Sequence, residues 1–427
     1  MTPYPEYKAT NLPWLPQIPA HWELVKIREL FTERNQKVSD KEYAPLSVSK
    51  GGVVPQISTV AKTDNGDNRK LVKVGDFVIN SRSDRKGSSG ISAYDGSVSL
   101  INLVLKPRND YNRSYLHYLL KSIPFIEEYY KNGRGIVADL WTTRYSEMKT
   151  VSIPTPTAAE QEQIVRYLDS MTAKINKLIR AKKKQIALLQ EQKQAIINQA
   201  VTKGLNPDAE MKDSGIDWLG QIPAHWEVKK AKYCVNINHG SDPVTEGNVP
   251  VYGSGAGSFK TCGEFKEGPA VLVGRKGATL HIPHYITGKY WNVDTAFDVK
   301  AKKNFFLHFY YFLATCFDYH FYISQTTLPS MTQTDYLNMK LPVPPQKEQY
   351  DIIQYLVMQD EKFDNLIAEI KNIINSLFEY KNSLIACVVT GQVDVRNIQV
   401  EDFDPADLIS ETDDNPAEEE STEESEE

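Results

Sequence analysis

Three groupings in the chain carry the side-chain types that catalysis uses. Asp242 followed by Glu264-Phe265-Lys266 supplies two carboxylates and a lysine, a set able to hold Mg²⁺ and steady an attacking water. The first half of the chain offers no counterpart, and so loose a pattern arises often by chance. His281-x-x-His284 has a zinc-like spacing, but no second Cys or His pair completes a site. A surface or base-contacting histidine is the plainer reading. Asn11-Leu12-Pro13-Trp14 is one residue away from the N-P-P-aromatic motif that positions an adenine amino group, and the second copy reads Gly215-Ile216-Asp217-Trp218. No strand leads into a Gly-rich turn for a cofactor adenosine. Trp14 and Trp218 are therefore read as structural anchors, and none of the three groupings as a complete catalytic or metal site.

Other residues suit recognition better than reaction. Gly87-Ser88-Ser89-Gly90 and Gly274-Arg275-Lys276-Gly277 lack the P-loop spacing, so each is a hairpin turn or a DNA-facing loop. Basic residues cluster where a strand ends: Ser81, Arg82, Arg85 and Lys86 in the first half, Arg275 and Lys276 in the second. Arginine is the usual bidentate partner of guanine in the major groove, whereas lysine and serine more often touch phosphate. Arg134, Thr143 and Arg144, then Thr327, Ser330 and Gln333, add small polar or charged donors, and Tyr252 with Ser254 forms a third candidate loop. The expectation rests on the set.

The elements that must position these loops come in pairs. Residues 160–201 carry apolar side chains at Ile164, Leu168, Met171, Ile175, Ile179, Ile186, Leu189, Ile196 and Ala200, the alternating spacing of a coiled-coil seam. Two successive steps of four form a stutter. Adding 188 lands on Ile352, Leu356, Gln359, Phe363, Ile367, Ile374, Leu377, Leu384 and Val388, with the same stutter and with Lys193 matching Lys381. A helix of about 42 residues is roughly 63 Å long at 1.5 Å per residue. Shared irregularities predict that the two helices partner each other. A second repeat, Gln-Ile-Pro-Ala-His-Trp-Glu, recurs at an offset of 204 and places Trp22 and Trp226 alike. The chain is two tandem halves.

Between these repeats lies mixed α/β sequence. Residues 71–80 and 97–105 alternate like strands, and residues 270–273 and 297–299 take that part in the second half. Leu116-His117-Tyr118 answers Leu307-His308-Phe309 in a helix, and residues 305–317 read as a buried aromatic helix. Pro154 and Pro342 end strands before Glu160-Gln161 and Glu348-Gln349, which open the long helices. The intervening parts are far more diverged than the repeats, which suggests that they read different things.

Charge supports the same view. The formal net charge is −6, yet the last 27 residues hold 14 acids and no base, leaving 49 basic against 41 acidic residues elsewhere. A basic body is compatible with nucleic acid. The tail is too polar and like-charged to pack, and is expected to be disordered; it is a solubilising tail or a mimic that competes with DNA. Lys182-Lys183-Lys184 is a solvated helix face or a phosphate contact. Four cysteines without a C-x-x-C pair are read as reduced thiols of a cytoplasmic protein, and no stretch suggests a membrane span.

P-x-H-W-E, a globular region, then P-x-P-x-x-x-E-Q before a long helix, all repeated over residues 1–395, resembles the DNA-specificity subunit of type I restriction-modification systems. The resemblance implies an α+β protein: two α/β target-recognition domains separated by two long antiparallel coiled-coil helices, with a pseudo-twofold internal repeat. On that reading residues 1–155 and 206–343 are the recognition domains, 156–205 and 344–392 the spacer helices, and 393–427 the disordered tail. It further implies a subunit without catalytic activity that binds double-stranded DNA at a bipartite site. Two methyltransferase subunits, which carry S-adenosylmethionine, and the restriction-translocase subunits would be its partners. Ile164, Leu168, Ile175, Leu189, Ile352, Leu356, Phe363 and Leu377, with Trp14, Trp22, Trp218 and Trp226, would line partner or inter-helix surfaces. The alternative is a coiled-coil scaffold that assembles enzymes without reading bases.

Overall fold

Each copy of the tryptophan motif is the turn between two antiparallel pairings. Tyr7–Leu12 pairs with Leu15–Pro19, the chain turns at Trp22, and Glu23–Lys26 pairs with Ser152–Thr155. In the second copy Met211–Asp213 pairs with Gln221–Pro223, and beyond Trp226 the strand Glu227–Lys230 pairs with Lys340–Val343. Pro154 and Pro342 sit in two-stranded pairings, where a missing backbone N–H is tolerated at an edge. The computed structural model describes residues 2–56, 66–108, 112–135, 141–255, 257–319, 322 and 329–408. It divides into one unit of residues 1–184 with 370–427 and another of residues 185–369.

The long helices span Ala158–Lys203 and Gln346–Val389, and one interaction fixes where each begins. His21 Nε2 lies 2.9 and 3.0 Å from the two carboxylate oxygens of Glu160, and the indole N–H of Trp22 donates to the same carboxylate at 3.3 Å. In the second unit His225 Nε2 is 2.6 Å from Glu348 Oε1, and Trp226 donates to Oε2 at 2.8 Å. An acid in the first turn also suits the positive end of the helix. The next residue ties the helix to the chain before it: Gln161 Nε2 donates to Pro156 O and Gln349 Nε2 to Pro344 O, both at 2.9 Å. Both tryptophans are fully buried.

In the first unit a four-stranded sheet carries Phe77–Asn80 between Ser89–Ile91 and Asn102–Pro107, with Phe31–Glu33 at the far edge. The alternating strand expected over residues 71–80 is instead two fully buried strands, Arg69–Val72 and Phe77–Asn80. Gly75, at φ +88°, makes the break, and the Asp76 carboxylate accepts the Lys73 N–H at 2.9 Å to close the turn. The second unit has a sheet ordered Val235–His239, Ala296–Ala301, Ala270–Gly274, His284–Ile286. Its core runs from Trp226 through Phe297, Phe309 and Tyr336 to Ile352 and Leu356. Residues 305–317 do hold a buried aromatic helix, Leu307–Ala314. Ile352 and Leu356, expected on a helix seam, are thus spent in the head's core. Trp218 packs on that core edge-on to Phe317, ring centroids 5.8 Å apart.

The helices touch each other within each unit. Lys193 Nζ lies 2.9 Å from Asp360 and 2.7 Å from Asp364 in the second unit. In the first, buried Lys381 reaches Asn176 Oδ1 at 3.4 Å. Ile164, Leu168, Ile175 and Phe363 are buried, whereas Leu189 and Leu377 are half-buried.

Residues 393–408, expected to be disordered with the rest of the tail, are docked in the first unit. Asp394 N donates to Thr2 O at 2.9 Å, and the Arg396 guanidinium sits 4.9 Å from the Tyr4 ring. The chain then follows the first long helix, where Gln163 Nε2 donates to Val395 O and Ile398 O. Side-chain donors on the helix satisfy backbone carbonyls, which lets a segment this acidic pack. Among the described residues no helix is long and apolar enough to cross a membrane.

Replacing Trp22 by Ala should cost about 3–5 kcal/mol of stability in denaturant unfolding, the usual range for emptying a buried tryptophan site. Burial acts to raise the Glu160 carboxyl, but hydrogen bonds from His21, Trp22 and Thr157 outweigh it and hold its pKa below the ordinary 4.5. The stabilisation it gives is therefore complete above 4.5 and is lost as pH falls through the lower folded-state value. Glu160→Gln should unfold more easily at pH 7, by about 1.5–3 kcal/mol, and should show a flatter loss of stability below pH 4.5 than the unaltered chain. Parallel acid-unfolding curves for the two proteins would count against this assignment.

Candidate nucleic-acid interface

The end of the strand Phe77–Asn80 organises the first polar cluster. Asn80 accepts the Arg82 N–H at 3.0 Å on its own side chain, and buried Tyr130 donates to Asn80 O at 2.8 Å. Arg82 and Arg134 each form an isolated bridge with Thr142, so three separate sequence loops become one surface. Ser81 and Thr143, expected as DNA contacts, are buried instead. The Ser81 hydroxyl donates to Ile101 O at 2.5 Å and that of Thr143 to Tyr129 O at 3.1 Å. Both therefore build the loops that carry other donors. Arg82, Arg85, Arg134 and Arg144 are exposed. Arg134 stays 3.8 Å from Glu147, Arg85 3.9 Å from Asp84, and Lys86 is 2.5 Å from Glu127.

A groove of about 640 Å³ runs past this cluster, lined by Ser81, Arg82 and Arg144 together with Asn35, Lys70, Thr142, Tyr145 and Lys149. Sequence reasoning missed Asn35, Lys70, Tyr145 and Lys149, because only the paired ends of distant strands bring them to one wall. Lys70 is held 3.3 Å from Glu33.

The second head repeats the arrangement with different residues. The strand Ala270–Gly274 ends at Arg275, whose carbonyl accepts the Met331 N–H at 2.9 Å, and Lys276 bridges Ser330. This is the counterpart of the Arg82–Thr142 bridge. Buried Tyr336 donates to Gly274 O at 2.8 Å, as Tyr130 does to Asn80. Gly277, at φ +117°, lies where a Cβ would stand 2.9 Å from Ser254 Oγ. Thr279 Oγ1 donates to Ser254 O at 2.8 Å, which brings the third loop into the cluster. Arg275 is paired with Asp294 at 3.1 Å, and Gln333 spends its amide N–H on Ile237 O at 2.6 Å. Tyr252 is half-buried against Ala270, Leu272 and Tyr290. Thr327 lies outside the described residues.

The catalytic groupings do not converge. Glu264 accepts the backbone N–H groups of Val244 and Thr245 at 2.8 and 2.9 Å. Lys266 turns away to Asn292 and Asp298 at 2.7 and 3.5 Å. His284 Nε2 is 2.6 Å from Gly255 O, so it stitches a loop. Trp14 is half-buried.

Two stretches, residues 19–188 and 223–377, match the type I restriction modification DNA specificity domain. The chain is 26% identical over 233 residues to the type I restriction enzyme MjaVIII specificity subunit of Methanocaldococcus jannaschii, covering 52% of this chain and about half, 51%, of that protein. It is 22% identical over 429 residues to the putative type I restriction enzyme MjaX specificity subunit of the same organism, covering 89% of this chain and 95% of that one. A solved structure from work on complex assembly and conformational transition of the type I R-M system shares the fold, with a TM-score of 0.64 over 88% of this chain and 99% of that one at 14% identity. With 325 of its 427 residues inside the two matched stretches, the chain belongs to the type I restriction-modification DNA specificity family, whose members are non-catalytic specificity subunits.

Proposed function

We propose that each head reads one half of a bipartite DNA site and that the long helices, paired as an antiparallel coiled coil, set the distance between the halves. The observation that carries this reading is the recurrence of one loop assembly in two diverged heads, Arg82 with Thr142 in one and Lys276 with Ser330 in the other. A conserved frame with different polar side chains suits two different base sequences. The helix contacts support the pairing. Lys193–Asp364 and Lys381–Asn176 lie on one antiparallel register, seventeen residues up one helix for seventeen down the other. Half-sites about one helical turn apart, roughly 34–36 Å, present the same face of the duplex.

On this reading double-stranded DNA is gripped mainly through phosphates, with a few base contacts worth about 1–3 kcal/mol each. Two methyltransferase subunits dock on the chain and supply S-adenosylmethionine and the reaction on an extruded adenine; the restriction-translocase subunits join them. The specificity chain holds no cofactor. It works in the cytoplasm of a bacterium or archaeon.

Two measurements test the division of labour. Arg82→Ala should relax methylation at one half-site only, and Lys276→Ala should act on the other, as read by mapping N6-methyladenine in cells carrying the system. Equal effects on both halves would refute separate heads. Inserting seven residues, one heptad, after Ala187 should change the preferred spacer or abolish methylation; an unchanged spacer would show that the helices set no distance.

A further inference from the structure

One irregular strand pair in the second head sets an aromatic ring beside the recognition loops. Val249–Tyr252 pairs antiparallel with Ser258–Cys262, Val251 opposite Lys260 and Tyr252 opposite Ser258. Phe259 is therefore the extra residue of a β-bulge, a device that re-aims a side chain. It is 49% exposed, although burial of so large an apolar group is strongly favoured. Gly253 makes room for the ring: a Cβ built there would stand 3.6 Å from Phe259 Cε1 and 2.9 Å from Thr295 Oγ1. Thr295 O in turn accepts the backbone N–H of Arg275 at 2.7 Å. The bulge thus brings the ring to the corner that carries Arg275 and Lys276.

The first head has an apolar group at the same corner, supplied by a different loop. Ile101 O accepts the Ser81 N–H at 3.2 Å as Thr295 O accepts that of Arg275, and Asn102 pairs with Asn80 as Ala296 pairs with Gly274. Leu100 and Ile101, 40% and 36% exposed, line the groove there beside Arg82. Each polar cluster therefore keeps an apolar group toward solvent. In the major groove the apolar feature of a base edge is the 5-methyl of thymine, and phenylalanine is among its partners. Insertion between bases suits the ring less. Lys260 Nζ lies over the ring, 5.4 Å from its centroid, and occupies one face, whereas a wedge between base steps needs both.

We infer that Phe259 reads a thymine in the half-site of the second head by contact with its 5-methyl group. The inference rests on the DNA reading above. The test uses the full chain with its methyltransferase subunits and the site mapped by N6-methyladenine. Each thymine of that site is replaced in turn by deoxyuridine, which removes the methyl and leaves the hydrogen-bonding edge unchanged, and duplex affinity is measured. At one position, in the half-site that Lys276→Ala relaxes, the unaltered chain should lose about fourfold, the worth of one buried methyl group. Phe259→Ala should bind the thymine duplex more weakly and lose nothing further on the same replacement. Phe265→Ala removes another half-exposed ring of this head, 51% exposed, and should keep the full thymine preference. A half-site without thymine, or an unaltered chain indifferent to every deoxyuridine in it, overturns the contact. So does an undiminished preference in Phe259→Ala, or its loss in Phe265→Ala as well. Equal affinity of the unaltered complex for site and scrambled duplexes overturns the DNA reading itself, and the contact with it.

Discussion

One carboxylate at the opening of each long helix holds the architecture together. Glu160 and Glu348 are each gripped by the histidine and tryptophan of a turn far away in sequence. Glu160 is buried, and a buried acid is costly unless its oxygens are satisfied, so the first helix can start only where that turn already stands; half-buried Glu348 makes the same contacts at the second. Helix origin, strand pairing and hairpin are thereby fixed together, and the glutamine beside each acid closes the remaining backbone gap. The ends are fixed as tightly. Gly391, at φ +77°, lies where a Cβ would come 2.4 Å from Pro19 and 3.0 Å from Trp22, and Gly204, at φ +74°, packs on Trp226. Each tryptophan therefore receives a helix end as well as a helix beginning.

Above this frame the heads spend their polar groups in two ways. Buried tyrosines and hydroxyls (Tyr130, Tyr336, Ser81, Thr143) hold strand ends and loops together; beside them Arg82, Arg85, Arg134 and Arg144 are exposed, and Arg275 and Lys276 are half-buried. The loop backbones are therefore held by buried side chains, and the side chains that project from them differ between the two heads.

The sequence displayed the frame more plainly than the surface. The repeats announced both helices, and their bounds came within a few residues, because helical periodicity and the Trp turns are local signals. The strand break at Gly75 was missed, since a run of buried residues carries no alternation to reveal its interruption. Ser81 and Thr143 were taken as DNA contacts because residue type cannot tell a hydroxyl that faces solvent from one that faces a carbonyl. Residues 393–408 were assigned to a disordered tail on composition; what orders them is a matching ladder of donors on the first long helix, a long-range match that composition cannot express. The acids that receive His21 and His225 were named only as helix openers, though their recurrence beside glutamine in both halves was the available clue.

The pair Asn176 and Asp364 holds a last consequence. Both answer a lysine of the opposite helix, but only the amide also has N–H groups to give the chain's own end. The amide at this position, together with Arg180, which pairs with Asp407 where the other helix has Ala368, thus labels one arm of a duplicated object. A chain assembled from two first halves would offer two receiving faces, and one assembled from two second halves would offer none. Recombination that shuffles heads while keeping the order of the arms preserves that label; recombination that duplicates one arm erases it.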